Sequence, residues 1–399
     1  MTLPRFIQIH TLHNYLGALL NRDDAGLAKR LPYGDAVRTR ISSQCLKRHW
    51  RVADDHFALS NLGFPIEQRS TYFLDEVRKH LIAKGVDEGV AMGTVEGLAA
   101  GMKLNRNPKK KDKLQTKEVL FLGAKEVEYL NSLALEIAKQ HGDSKAAVAG
   151  AKAFVEAKSA NRSSVRDNLK VMFESCSLAS ALFGRMVTSD VLASRDAAVY
   201  VAHAFTVHEA QVENDYFTVV DDLLREAGEQ GSAGIFDTEL ASGLYYGYVV
   251  IDVPQLIANL EAVNIKDWAT APAEKRELAG RVVQHLLHLV ATVSPGAKRG
   301  STAPFEWAKF MLVEAGDWQP RSLAGAFHNA LRLNQPELRK SAVECLAGEL
   351  AKLDAAYGAP AARRYLAVDD VEVPGAQRLP LQALVQWAQA AVTQAKAEA

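Results

Sequence analysis

Apolar segments of two kinds follow one another through the chain without regular alternation, and this limits its fold more than any other feature. Short runs rich in β-branched or aromatic residues read as strands: "RFIQIHTL" (5–12), "ALFGRMVTSDVL" (181–192), "AAVYVAHAFTVHEA" (197–210), "GLYYGYVVIDV" (243–253) and "WAKFMLVEA" (307–315). Stretches at 71–102, 126–160 and 273–293 carry helical spacing, Gly142 closes "EVEYLNSLALEIAKQHG", and Pro254 opens a further helix. Helices are expected to dominate from 321 to the end, and "NRDDAGLAKRLPYGD" (21–35) reads as a loop. Strands and helices in this order favour α+β over a doubly wound parallel sheet.

With 399 residues, 48% of them hydrophobic and 24% charged, the chain is globular and long enough for one large domain or two ordinary ones. It shows neither a secretory leader nor a run of about 18 apolar residues, so a cytoplasmic location is expected. Cys45, Cys176 and Cys345 are far apart and odd in number, which fits a reducing compartment without a disulfide framework. Lys plus Arg and Asp plus Glu total 47 each, so any nucleic-acid role must come from local patches.

One such patch is "RTRISSQCLKRHWR" (38–51), with Arg38, Arg40, Lys47, Arg48 and Arg51. Ser42 or Ser43 can cap a helix that starts near Gln44. Gln44, Lys47, Arg48 and Arg51 then share one face, while Leu46, Trp50, Ala53 and Phe57 recur on the other. A basic face that begins at a helix N-terminus suits phosphate, and it also suits plain solvation. Arg22 and Lys29 precede it in the loop; "SPGAKRG" (294–300) offers Lys298 and Arg299 on a turn bounded by Gly and Pro. "NRNPKKKDKLQTK" (105–117), with Lys109, Lys110, Lys111 and Lys113, reads as a surface loop that is either solvated or able to attract DNA.

Enzymatic readings find less support. His285 and His288 form "HLLH", which lacks the glutamate and the i+4 spacing of a zinc-protease helix, and His203 and His208 have no evident third ligand. No Gly-rich phosphate loop ending in Gly-Lys-Ser/Thr occurs, so ATP hydrolysis is not expected. No metal or cofactor is expected either.

"NRDD", "RISSQCLKR", "GRMVTS", "AHAFTVHEAQVENDYFTVVDDL", "GSAGIFDTELASGLYYGYVVIDV" and "VSPGAKRG", in this order, resemble the CasC family, the repeated backbone subunit of the type I-E CRISPR complex Cascade. The resemblance runs from residue 5 to about 330. It implies an RNA-recognition-motif-like (ferredoxin-like) palm with its web (1–60, 178–202, 248–399), a mostly helical fingers insertion (61–177) and a β-hairpin thumb (203–247). Implied partners are a CRISPR guide RNA, a target DNA strand, further copies of the chain, the large subunit CasA, the small subunit CasB, CasD at the 5′ handle and the endoribonuclease CasE at the 3′ hairpin. On this resemblance Arg22, Lys29, Ser42, Ser43, Gln44, Lys47, Arg48, Arg51, Arg185 and Lys298 contact RNA, and Met186 resembles a wedge between nucleotides. By residue type alone Met186 reads as a core methionine on a strand, and only the resemblance makes it a site. Tyr216, Phe217 and Thr218 on the thumb would meet the guide-target duplex or the next subunit. The enzymatic alternative is a metal-dependent RNA endonuclease using Asp23 or Asp24, as in type III backbone subunits; the same two residues could instead cap the following turn.

Overall fold

In chain order the elements are β1 (Phe6–Ala18), β2 (Arg30–Tyr33), β3 (Ala36–Ile41), α1 (Ser43–Arg51), β4 (Gln68–Ser70), α2 (Phe73–Ala83), α3 (Glu88–Gly101), β5 (Leu120–Leu122), α4 (Ala124–Lys139), α5 (Ser144–Glu156), α6 (Leu178–Phe183), β6 (Val199–Val201), β7 (Ala204–Thr206), β8 (Gln211–Val220), β9 (Ser232–Asp252), α7 (Val253–Glu261), α8 (Ala273–Thr292), α9 (Arg299–Thr302), β10 (Phe310–Gly316), α10 (Leu338–Tyr357), β11 (Ala361–Ala367), β12 (Ala376–Arg378) and α11 (Leu381–Thr393). The computed structural model describes residues 3–63, 68–105, 114–117, 120–122, 124–156, 178–184, 196–220, 232–261 and 263–394. The class is α+β, and the sheet is mostly antiparallel.

The chain divides into two units. The first holds Met1–Leu62, Val199–Val253 and Ala271–Ala399. Its sheet runs β12-β11-β10-β1-β9-β7-β3-β2, with β6 and β8 also paired to β9; only β11 and β12 run parallel. β1 is central, flanked by β10 (Phe6↔Gly316 to Leu12↔Phe310) and β9 (Phe6↔Asp252 onward), and Ile7 and Ile9 are fully buried. Register puts Leu12, Tyr246 and Phe310 on one face, where they pack with Val343, Leu346 and Leu350 of α10. Tyr15, Ile41, Ala204 and Tyr245 form a second cluster, against which Cys45 and Leu46 of α1 rest.

Charge is buried inside this unit. Glu314, with no exposed surface, accepts from His10 Nε2 (3.2 Å), from both Arg321 end nitrogens (2.8 and 3.0 Å) and from Arg363 Nε (2.8 Å). Arg363 also grips Asp354 of α10 with both end nitrogens. Burial alone would raise the Glu314 carboxyl, but hydrogen bonds from His10 and Arg321 and their charges hold it well below the usual carboxylate range.

The second unit holds Gly63–Ala198 and Pro254–Thr270. Helices α2 to α5 enclose a core of Leu74, Leu81, Val95, Leu98, Leu130, Ile137 and Ala151, beside the β4–β5 ribbon. Gly93, Gly97 and Gly101 form the face of α3 toward α5. A Cβ at Gly97 would stand 2.4 Å from the Val148 carbonyl oxygen, so only glycine allows this approach.

Several sequence expectations change. The segment at 181–192 is no strand where it is described: Leu178–Phe183 is a helix, because a short, wholly apolar run does not distinguish the two by period. Its remainder, 185–195, lies outside the described residues. The loop expected at 21–35 contains β2, which turns into β3 through Gly34 and Asp35. The helical stretch at 71–102 breaks at Gly85 (φ 84°) and restarts with Asp87 as cap. α1 ends at Arg51, so Ala53 and Phe57 are not on its inner face. Beyond 321, β11 and β12 interrupt the helices.

Candidate nucleic-acid interface

The first turn of α1 is held from three sides. Ser42 stays extended (φ −68°, ψ 146°), and its Oγ accepts the Cys45 N–H at 3.3 Å, which makes Ser42 the cap. The Ser42 N–H donates to Asn21 Oδ1 (2.9 Å), and the Ser43 N–H donates to His203 Nδ1 (2.9 Å). The loop after β1 and the start of β7 thus fix where the helix begins. Gln44 and Arg48 are exposed, Ser43, Lys47 and Arg51 half-buried, and Trp50 is buried. Partial burial depresses the Lys47 ammonium.

Other cations gather around this helix. Lys29 and Arg48 both act on the Cys45 thiol, which burial nevertheless pushes up to about 11, so it stays an inert thiol. Burial lowers His49, which also feels Arg299 and Arg48, and its Nδ1–H donates to the Cys45 carbonyl at 2.8 Å. Arg40 and Lys29 act together on His203. Lys29, Arg40 and Arg48 make no ion pair among the described residues. The loop of Lys298 is pinned by the Ala297 N–H to the Leu19 carbonyl (2.9 Å), and Lys298 Nζ donates to Thr238 Oγ1 of β9 (2.8 Å). Glu239, the next residue, is buried and binds the Ala28 N–H (2.8 Å) and Arg30 (2.6 Å), which ties the long hairpin to the Lys29 loop.

The structure therefore brings Lys29, Ser42, Ser43, Gln44, Lys47, Arg48 and Arg51 to one place, with Lys298 beside them. Arg22 is exposed, bridged to Ala28, in a loop closed when Asp23 Oδ1 accepts the Ala25 and Leu27 N–H groups. Tyr216 stands on β8, 64% exposed and opposite Asp237. The backbones of Phe217 and Thr218 pair with Phe236 and Ile235, while their side chains lie outside the described residues. So do Arg185, Met186, Lys109, Lys110, Lys111 and Lys113. Arg38 leaves the patch: it is fully buried and donates to the Thr206 (3.2 Å) and Phe327 (3.0 Å) carbonyls. His285 and His288 pack under Phe57. His288 stacks at 3.4 Å, and the described residues hold no cluster of metal-binding type. Sequence reasoning placed Arg40 in the basic run without naming it as an RNA contact, and it missed His203 and Glu239, which needed the pairing of β3, β7 and β9.

A match to the CT1975-like protein family spans residues 7–388. The chain belongs to that family. Many solved chains are similar, two of which follow. One, titled "CRISPR RNA-guided surveillance complex, pre-nicking", aligns over 97% of this chain and 100% of its own with 26% identity and a TM-score of 0.77. The other, titled "CRISPR RNA-guided surveillance complex", covers 95% and 99% at 22% identity and a TM-score of 0.66, and so shows the shared fold. No curated protein matches. The resemblance to the CasC backbone family holds.

Proposed function

We propose that this family member is the guide-RNA-binding backbone subunit of a type I-E Cascade complex. Copies line up along one CRISPR RNA and present its spacer for pairing with target DNA. The observation that carries this reading is the group of Lys29, Arg40 and Arg48, cations that make no ion pair among the described residues, around a capped helix start. A subunit that must hold any spacer should grip phosphates and sugars and leave base edges open, because phosphate contacts position a strand without reading it. Gln44, Ser43, Lys47 and Arg51 add hydrogen bonds and charge to that grip. The β8/β9 hairpin serves as the thumb that crosses the guide, with Tyr216, Phe217 and Thr218 toward the duplex or the next copy, and Arg185 and Met186 complete the RNA contacts. Lys109, Lys110, Lys111 and Lys113 attract target DNA. CasA, CasB, CasD and CasE complete the assembly. The subunit itself is not an enzyme in this reading; Asp23 closes its own loop.

The test is to produce the chain with its partners, sequence the RNA that comes with it, and replace Lys47, Arg48 and Arg51 together by alanine. Every guide should be weakened about equally. Loss restricted to certain guide sequences, or cleavage of matched RNA that Asp23→Ala abolishes, would overturn the reading.

A further inference from the structure

β3 and β7 pair through Arg40↔Phe205 and Ile41↔Ala204. The next rung would set Ser42 against His203, but there the chain turns into α1. The ladder ends instead on a side chain, with the Ser43 N–H donating to His203 Nδ1 at 2.9 Å. A backbone N–H can only donate, so Nδ1 carries no proton and the neutral ring keeps its hydrogen on Nε2. The ring is exposed, and among the described residues Nε2 has no hydrogen-bond partner. The charged groups that act on it are Arg40 of β3 and Lys29 of the loop after β1, both cations; from α1 it meets the Ser43 N–H. Burial first and then these cations hold it below the ordinary histidine value. The site thus contains a donor that no protein acceptor uses, placed in a positive field.

We propose that His203 is a further contact of the RNA interface, whose Nε2–H donates to a backbone phosphate oxygen while its Nδ1 fixes the start of α1. This rests on the reading of the interface given above. Because Nδ1 keeps the Ser43 N–H, the ring donates in its neutral form; a further proton would go to Nδ1, against that N–H, and release the start of α1. The contact therefore needs no proton uptake and is complete at neutral pH.

The experiment measures binding of a labelled single-stranded RNA to the full chain at fixed salt and about pH 7.5, where the ring is neutral. It compares wild type, His203→Asn and His203→Ala, with a melting temperature for each. Asparagine offers Oδ1 to the Ser43 N–H without titrating, so it restores a merely structural role. The expected result is a melting temperature close to wild type in His203→Asn with about tenfold weaker binding. His203→Asn binding with wild-type affinity overturns the inference and leaves the RNA interface standing. Wild type failing to bind RNA overturns both.

Discussion

Replacing Lys47, Arg48 and Arg51 together by alanine should change not only the affinity for RNA but its dependence on salt, and the size of that change follows from the geometry. Arg48 is exposed and makes no ion pair among the described residues, and Lys47 and Arg51 are half-buried on the same helix face; in the proposed interface each meets one phosphate. Each phosphate neutralised on a single strand contributes about 0.7 to the slope of log K against log salt, and three lost contacts should flatten the plot by about 2. Raising salt about fourfold, from about 50 to about 200 mM, should then narrow the gap between wild type and variant about 20-fold. The assay is fluorescence anisotropy of a labelled single-stranded RNA across that range, repeated with a second, unrelated sequence. Parallel plots, with the variant weaker by the same factor at every salt, would refute the argument. They would mean that the three side chains support α1 rather than meet phosphate.

Three further outcomes test the frame that carries the site. Glu314→Ala strands Arg363 and His10 in the sheet and should cost about 3 to 5 kcal/mol in chemical denaturation. The wild-type Glu314 carboxyl titrates lower when folded than when unfolded. Its contribution is therefore complete above the usual carboxylate range and disappears as pH falls below it, a slope that a denaturation series in acid should show and Glu314→Gln should lack. Gly34→Ala should destabilise far more than Gly358→Ala: both have positive φ (62° and 88°), but a Cβ at Gly34 would stand 1.6 Å from the His328 carbonyl oxygen, whereas Gly358 has open space, so its variant should cost only about 1 kcal/mol or slightly more.

What the sequence revealed about this site was local. A serine cap at 42 or 43 was legible because serine before a helical run has one dominant use, the structure making it Ser42, and the basic face followed from spacing alone. Arg38 was misjudged because a charged side chain reads as surface until the two backbone segments that supply its acceptors are known to converge on it. β11 hid for the same reason: Arg363 and Arg364 made "AARRYLA" look polar, although Arg363 is buried against Glu314 and Asp354. The β2–β3 turn did carry a signal, a glycine at the first central position with Asp35 after it, and it was read as loop. His203 left no signal, since its role depends on a rung of pairing between segments some 160 residues apart.

The density of positive charge at 38–51 in a chain of no net charge can now be explained. Many acids act internally or pair locally: Glu314 and Asp354 hold the sheet to α10, Glu239 holds the hairpin to the Lys29 loop, Asp75 binds Arg78 and Lys79, and Asp369 binds Arg339. Each of these carboxylates cancels a cation in the total while removing it from the surface field. Lys29, Arg40 and Arg48 keep theirs. Neutrality of the whole chain and positivity of one face are therefore compatible, and under the proposed function, in which copies line up along a strand, the combination has a physical reason. Copies with a large net charge would repel one another at close spacing, whereas neutral copies with one basic face can assemble while each still attracts the phosphates it must hold. A substitution that frees a buried cation, such as Asp354→Asn, should leave RNA contacts in place and weaken the fold, while one that neutralises Arg48 should do the reverse.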